Sequence, residues 1–387
     1  MAVKQWVVDI IRKEKSMIWY YCIPPVAVGF FCFGCFSGII VYLCGVMMKR
    51  IRYDILDGLR GVAAMMVLLY HVFNDAKCFY VAPVYELFHG FLGVDFFFIL
   101  SGFVMGYAYD GRLRDGMTFG SFAKRRLIRL HPMVLMGVLL GLVAFVIQGC
   151  VKWDGTPVST DTLTLAVLLA LLLIPSPTDI DVRGFTEAFP LNGPHWSLFF
   201  EYIGSVLYGL LLHRLHTRWI AAWVGCSIAS LTAFAVLQAD GGIAYGWSSQ
   251  PVNLLGGALR MLYAYPMGLL MARIFASRSP RPLCGHVFLP CSLALISLLA
   301  MPMLDGKSAE TAYQLGCITI LFPIIVWVGA RGMACGWRQR VVSFLGRLSY
   351  PLYAVHFPLI YLYISWVGRD GHPYEGYCHP WTAAAMT

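Results

Sequence analysis

Apolar residues in this chain run in long unbroken stretches, with neither strict alternation nor a one-faced helical stripe. The stretches cover approximately 17–48, 55–73, 87–108, 130–149, 163–174, 195–213, 219–238, 253–276, 286–303, 312–330 and 348–367. A bilayer crossing takes about 20 consecutive apolar residues, and most of these segments approach that length. A transmembrane barrel would instead show strands of about ten residues with alternating polarity. The pattern predicts an all-α fold, a polytopic membrane helix bundle of about nine to eleven transmembrane helices. Segment 163–174 is too short to cross and ends in Pro175 and Pro177, so it reads as a re-entrant or interfacial element.

The charges between the segments give an orientation. Lys49, Arg50 and Arg52 precede the span 55–73, and Arg112, Arg114, Lys124, Arg125, Arg126 and Arg129 come two spans later. The stretch 150–194 carries Asp154, Asp161, Asp179, Asp181 and Glu187 against Lys152 and Arg183, which marks it as external. If 163–174 does not cross, then Arg214, Arg218, Arg273, Arg278, Arg281, Arg331, Arg338, Arg340 and Arg347 all fall on the cytoplasmic side. If it crossed, every downstream assignment would invert against these clusters.

The chain divides into an N-terminal hydrophobic extension (1–47), a membrane domain (48–367) and a polar C-terminal tail (368–387). The extension has Pro24–Pro25, no charge across 17–48, and the basic run Lys49–Arg50 just after it, so it reads as an added anchor or an over-extended start.

Composition narrows the class. Of 387 residues, 59% are hydrophobic and 13% charged, and the mean hydropathy is +0.69. A soluble domain is about 25% charged, so a soluble enzyme, a disordered chain and a small disulfide scaffold are excluded. The net charge of +9 comes without a basic stripe interleaved with aromatics, so it reflects positive cytoplasmic loops and no nucleic-acid partner. The 12 cysteines form no metal pattern: Cys32 and Cys35 make a C-x-x-C inside an uncharged apolar run with no second pair. No metal site is expected.

Ionisable side chains inside spans are costly and mark function by default. The first core segment carries Asp57, Arg60 and His71. Eleven residues at about 100° each place Arg60 and His71 about 20° apart on one helix face and about 16 Å apart along it. Asp57, one turn before Arg60, can pair with it. The segment His89-to-Phe103 holds the buried acid Asp95, the hydroxyl of Ser101 and glycines at 90, 93 and 102 that permit close helix approach. Arg125 and Arg129 (i, i+4) share a face, as do Arg126 and Arg129 (i, i+3); they read either as a topology signal or as a phosphate clamp. In N-G-P-H-W-S-L-F-F-E, Ser197 and Glu201 project to one side, while His195 and Trp196 sit at the outer interface. The segment L-G-R-L-S-Y-P-L-Y-A-V-H places Ser349, Tyr353 and His356 on one stripe, with Tyr350 beside it.

Taken together, these segments resemble the acyltransferase family 3 membrane proteins. The resemblance spans about residues 53–360 and rests on five elements in order. These are the pair Arg60 and His71 with L-D-G-L-R-G around the arginine, G-V-D-F-F-F-I-L-S-G-F, R-R-L-I-R-L-H-P, W-S-L-F-F-E and L-G-R-L-S-Y-P-L-Y-A-V-H. Family members O-acylate surface polysaccharides, O-antigens, peptidoglycan, Nod factors and macrolides. The resemblance implies a multi-pass enzyme of the bacterial inner (plasma) membrane, with no tightly bound cofactor. The co-substrate would be acyl-CoA, usually acetyl-CoA, presented from the cytoplasm, and the acceptor a carbohydrate or glycolipid hydroxyl. Carried over, His71 is the catalytic histidine and Arg60 its paired cation. Glu201 joins the active site, and Arg125, Arg126 and Arg129 hold CoA phosphates. Asp57, Asp95, Ser101, His195, Trp196, Ser197, Tyr350, Tyr353 and His356 belong to the substrate region. The residue types permit direct transfer with His71 as general base, or a covalent acyl intermediate on His71 or Ser101. The rival reading is a transporter or flippase with a polar pathway through Asp57, Arg60 and His71, although no repeated pair of broken helices is present.

Overall fold

The computed structural model describes residues 53–78, 88–238, 241–278, 280, 283, 287–334 and 336–369; the N-terminal extension and, of the polar tail, residues 370–387 lie outside them. Eleven α-helices follow one another: α1 Asp54–Cys78, α2 Gly93–Arg114, α3 Phe119–Gln148, α4 Thr160–Leu171, α5 His195–Leu210, α6 Thr217–Leu237, α7 Pro251–Arg278, α8 Phe288–Leu299, α9 Lys307–Gly316, α10 Phe322–Arg331 and α11 Trp337–Arg369. A π-helical stretch, Cys317–Leu321, joins α9 to α10 into one continuous rod. Six segments are long and apolar enough to cross a membrane: α1, α2 with its leading turn, α3, α6, α7 and the α9–α10 rod. Helices α5 and α8, with 16 and 12 residues, are shorter, and α11, with 33, carries Pro351 and Pro358.

The helices are apolar on their outward as well as their inward faces, as lipid requires. On α3, Leu135, Leu139, Val143 and Val146 are exposed, whereas Val134, Val138, Gly141 and Phe145 are buried. Lipid offers no hydrophobic drive for helices to associate, so close approach at small residues decides which pairs form. The α2–α7 pair shows this most clearly. A Cβ on Gly102 would collide with the Tyr265 carbonyl, and one on Gly268 with the Ile99 carbonyl. Helix α11 packs against α1 and α3 in the same way, with Gly346 against Asp57, Gly61 against Leu345 and Gly137 against Ala354.

These contacts fix directions. Helices α1, α3 and α11 run parallel, and α2 and α7 run parallel, since Asp95 meets Arg260 at one end and Asp110 meets Arg273 at the other. Helices α3 and α5 run antiparallel: Arg126 meets Glu201 and Ser205, while Gly137 lies against His195. The whole stretch 149–194 therefore leaves and re-enters the bundle at one end. Arg183 ties that end together, donating to Gln148 Oε1 at the end of α3 and to the Pro190 carbonyl (both 2.6 Å). Helix α4, 12 residues or about 18 Å long, lies in this stretch and does not cross, as its length predicted.

Candidate active site

Two of the polar clusters inside the bundle gather candidate site residues, one toward each end. At the end where α1, α3 and α11 finish, the His71 ring of α1 lies 5.3 Å from the His356 ring of α11 and 4.9 Å from Phe357, centroid to centroid. His356 is only 1% exposed. Its Nδ1 lies 2.9 Å from the Tyr353 carbonyl and 3.1 Å from the Leu352 carbonyl. Carbonyls only accept, so Nδ1 carries the proton and Nε2 the lone pair. That Nε2 is buried without a hydrogen-bond partner among the described residues. His71 itself is half-buried.

One turn earlier on α11, the Tyr353 hydroxyl lies 2.6 Å from Ser197 Oγ, and both groups meet the Pro194 carbonyl at the head of α5. The Asn192 amide donates to the Ala354 carbonyl (2.7 Å) and to His195 Nε2 (2.9 Å), tying α5 to α11. A side chain at position 137 would collide with Asn192, Ala354 and His195 together, so glycine there lets α3 close over this junction.

The inner cluster centres on Glu201, one turn below Ser197. Arg126, 3% exposed, donates to Glu201 Oε1 (2.8 Å) and to Ser205 Oγ (3.2 Å). Ser101 Oγ donates to the same carboxylate oxygen at 2.9 Å. Arg60 pairs with Asp57 at 3.2 Å, as their spacing predicted. Arg129 and Arg125 are exposed, and Arg129 interacts electrostatically with Arg126, Arg60, Glu201 and Asp57. The Tyr350 hydroxyl donates to the Leu130 carbonyl (2.5 Å), holding α11 to α3 beside them.

The structure thus groups Ser101, Arg126 and Glu201 at one depth and His71, His195, Ser197, Tyr353 and His356 at another. Arg126 stands apart from the exposed Arg125 and Arg129, because its guanidinium is committed to Glu201 and Ser205. Asp95 and Trp196 belong to a third arrangement, whose cation sequence spacing does not supply. Asp95, fully buried, accepts from Arg260 at 2.7 and 3.0 Å, and the Arg260 guanidinium lies 5.1 Å from the Trp196 ring. Arg260 also donates to the Tyr245 and Phe91 carbonyls, which completes a structural clamp between α2 and α7. Asp95 is itself the available signal, because a buried acid needs a cation and Arg260 lies within the apolar segment 253–276. Sequence reasoning also misses the pairing of His89, whose Nε2 lies 2.6 Å from Glu310, an acid that also receives the Leu304 N–H and the Gln314 amide.

A family model described as an acyltransferase domain matches residues 53–386. The chain belongs to the acyltransferase 3 family. This acyltransferase is similar to Acyltransferase MdmB of Streptomyces mycarofaciens, 28% identical over 368 residues that cover 87% of this chain and 85% of that one. It is similar to Protein 2 in picA locus of Rhizobium radiobacter, 34% identical over 167 residues, 41% of this chain and 81% of that one. A third relative, YrhL of Bacillus subtilis (strain 168), provisionally named a peptidoglycan O-acetyltransferase, is 24% identical over 79% of this chain and 48% of its own. No solved structure matches the acyltransferase. It is a multi-pass membrane enzyme, and neither the family nor any of these relatives supports the transporter reading.

Proposed function

We propose that the acyltransferase moves an acyl group, acetyl in the simplest case, from acyl-CoA at the cytoplasmic face to a hydroxyl of a carbohydrate or glycolipid at the opposite face. The observation that carries this reading is a polar track that joins the two clusters of candidate site residues. It steps from Arg126, Glu201 and Ser101 to Ser197 and Tyr353, then to His356 and His71. The provisional naming of YrhL for peptidoglycan O-acetylation agrees with a carbohydrate acceptor.

A sugar hydroxyl is a weak nucleophile, and a neutral imidazole near it is the natural base, worth about 10²–10⁴-fold. In the direct route, His71 takes the hydroxyl proton as the oxygen attacks the thioester carbon. The carbon–sulfur bond breaks and the thiolate leaves, protonated in turn by the imidazolium. His356, with its proton held on Nδ1, leaves the lone pair of its Nε2 beside His71. In the two-step route, the Ser101 hydroxyl passes its proton to Glu201 and attacks the thioester carbon. The thiolate leaves and takes up that proton, and the acceptor hydroxyl then displaces the serine ester, returning a proton to Ser101. Arg60 stands about 16 Å along α1 from His71, too far to polarise an oxygen reacting there. Its place is near the donor's phosphates, with Arg125 and Arg129.

The test is transfer by purified full-length protein from radiolabelled acetyl-CoA to a cell-wall glycan. His71→Ala should lose at least about 10²-fold in turnover while remaining inserted and monodisperse. Undiminished turnover in that variant would remove His71 from the chemistry.

A further inference from the structure

Two recesses meet at the end of the bundle where α2 and α5 finish and α3 and α6 begin. The first is a cavity of about 740 Å³ between the α2–α3 turn and the α5–α6 turn. Arg114, His213, Arg214, His216 and Arg273 line it, and no acidic residue does. Arg273 is committed within the fold: it donates to Asp110 (2.7 Å) and to the carbonyls of Leu212, His213 and Leu215. Arg114 reaches Asp110 only at 3.7 Å and its side chain is 63% exposed, and Arg214 and His216 are exposed too. Asp110 is thus shared among Arg273, Arg114 and the Tyr208 hydroxyl, which leaves the walls cationic. Inward the cavity is closed. Phe122 and Tyr208 are buried with their ring centroids 5.7 Å apart, and the Tyr208 hydroxyl donates to the Met105 carbonyl. A Cβ on Gly209 would already press on Phe119 and Phe122.

The second recess is a groove of about 440 Å³ between α6 and α7, and Leu215 lines both it and the cavity. Trp219, Ala222, Trp223 and Ser230 of α6 face Leu259 and Leu262 of α7 across it. The Trp223 indole N–H donates to the Leu262 carbonyl (3.1 Å), which ties the two helices together along the groove. From Trp219 to Ser230 the groove follows α6 for about 16 Å. That is the depth of one leaflet, half of a hydrocarbon core of about 30 Å. The Trp219 ring is 56% exposed in the first turn of α6, with the Arg218 guanidinium 5.6 Å from its centroid. An exposed tryptophan beside an arginine at a helix end marks the level of lipid head groups. The cationic cavity therefore lies at head-group level, and the groove leads from it into the acyl-chain region.

We infer that the two recesses together bind one anionic glycerophospholipid, its phosphate held by Arg114 and Arg214 and one acyl chain laid along the α6–α7 groove. A soluble phosphate compound matches the cavity alone and a neutral lipid the groove alone; only an amphiphile with an anionic head matches both. The inference is independent of which donor and acceptor the enzyme uses.

The test uses delipidated full-length protein in neutral detergent. Phosphatidylglycerol or phosphatidylcholine is added, and bound lipid is counted by native mass spectrometry. Glycerol 3-phosphate, a phosphate head without chains, is the soluble competitor. Wild type should hold one phosphatidylglycerol in preference to phosphatidylcholine, and glycerol 3-phosphate should not displace it. Arg214→Gln should weaken phosphatidylglycerol about fivefold and leave phosphatidylcholine unchanged. Ala222→Phe, which keeps every charge and fills the groove, should weaken phosphatidylglycerol at least as much. The same change at Ala221, exposed but outside the groove, should have no effect and controls for insertion. Equal affinity for the two lipids, or wild-type binding by both Arg214→Gln and Ala222→Phe, would overturn the assignment. Displacement by glycerol 3-phosphate would do so too, making the cavity a soluble-phosphate site. A dimer lost in Ala222→Phe, with no lipid bound to wild type, would overturn it in favour of a second copy of the chain in the groove.

Discussion

His356 illustrates how a backbone can choose a side chain's chemistry. Two carbonyls of its own helix hold the proton on Nδ1, so the basic nitrogen is Nε2, in a buried site beside His71. His356→Asn should keep a donor near the Tyr353 carbonyl but has no basic nitrogen. Loss of about one hydrogen bond's worth of stability, about 1 kcal/mol, is expected, against a fall in turnover of at least about 10²-fold. Measuring the unfolding temperature in detergent beside kcat separates the two roles: a large thermal shift with unaltered kcat would make His356 structural. The buried ion pairs behave differently. Asp95–Arg260 and Arg126–Glu201 are each fully partnered, and removing one member of such a pair strands the other charge, at a cost of about 3–5 kcal/mol.

At the scale of elements, glycine notches decide which helix lies against which. Gly268 faces the Ile99 carbonyl and Gly102 the Tyr265 carbonyl, so α2 and α7 touch backbone to backbone. Gly268→Leu should force the pair apart, break the reach of Arg260 to Asp95, and shift the protein from a single peak to aggregate in size-exclusion chromatography. A monodisperse, fully active variant would show that the close approach is dispensable. The same geometry explains how much is legible in the chain. Span positions, the non-crossing α4 and the Asp57–Arg60 pair follow from local spacing, because each depends on residues within a few turns. Partners across helices do not: Arg260 for Asp95, Arg126 for Glu201 and His356 for His71 depend on which notches meet, and sequence spacing alone carries no such distance. Helix boundaries differ from the apolar runs for a related reason. Helix α3 begins at Phe119, capped by Thr118, well before the apolar run at 130, because its first turns are polar and exposed and need no apolar surroundings to be helical.

For the molecule as a whole, one orientation satisfies every described positive cluster only because the chain between α3 and α5 turns back on the side from which it came. Single cysteines make this measurable in intact cells. With the wild-type signal as background, a cysteine at the exposed position Thr156 should label with an impermeant maleimide, and one at exposed Asp115 should label only after lysis. Labelling of both from outside would overturn the arrangement of α2 to α5. The same arrangement puts the Arg126–Glu201 cluster toward one end of the bundle and the paired histidines toward the other.

The parallel pairing of α1 with α11 has a consequence for synthesis. The two imidazoles that meet at 5.3 Å are separated by 285 positions (356 − 71), nearly the full length of the described chain. Such a contact has one of the larger sequence separations in the bundle and closes only after α11 has been added. A ribosome-bound chain therefore carries His71 without its companion until α11 emerges. The pair therefore forms only after all the helices between α1 and α11 have been made.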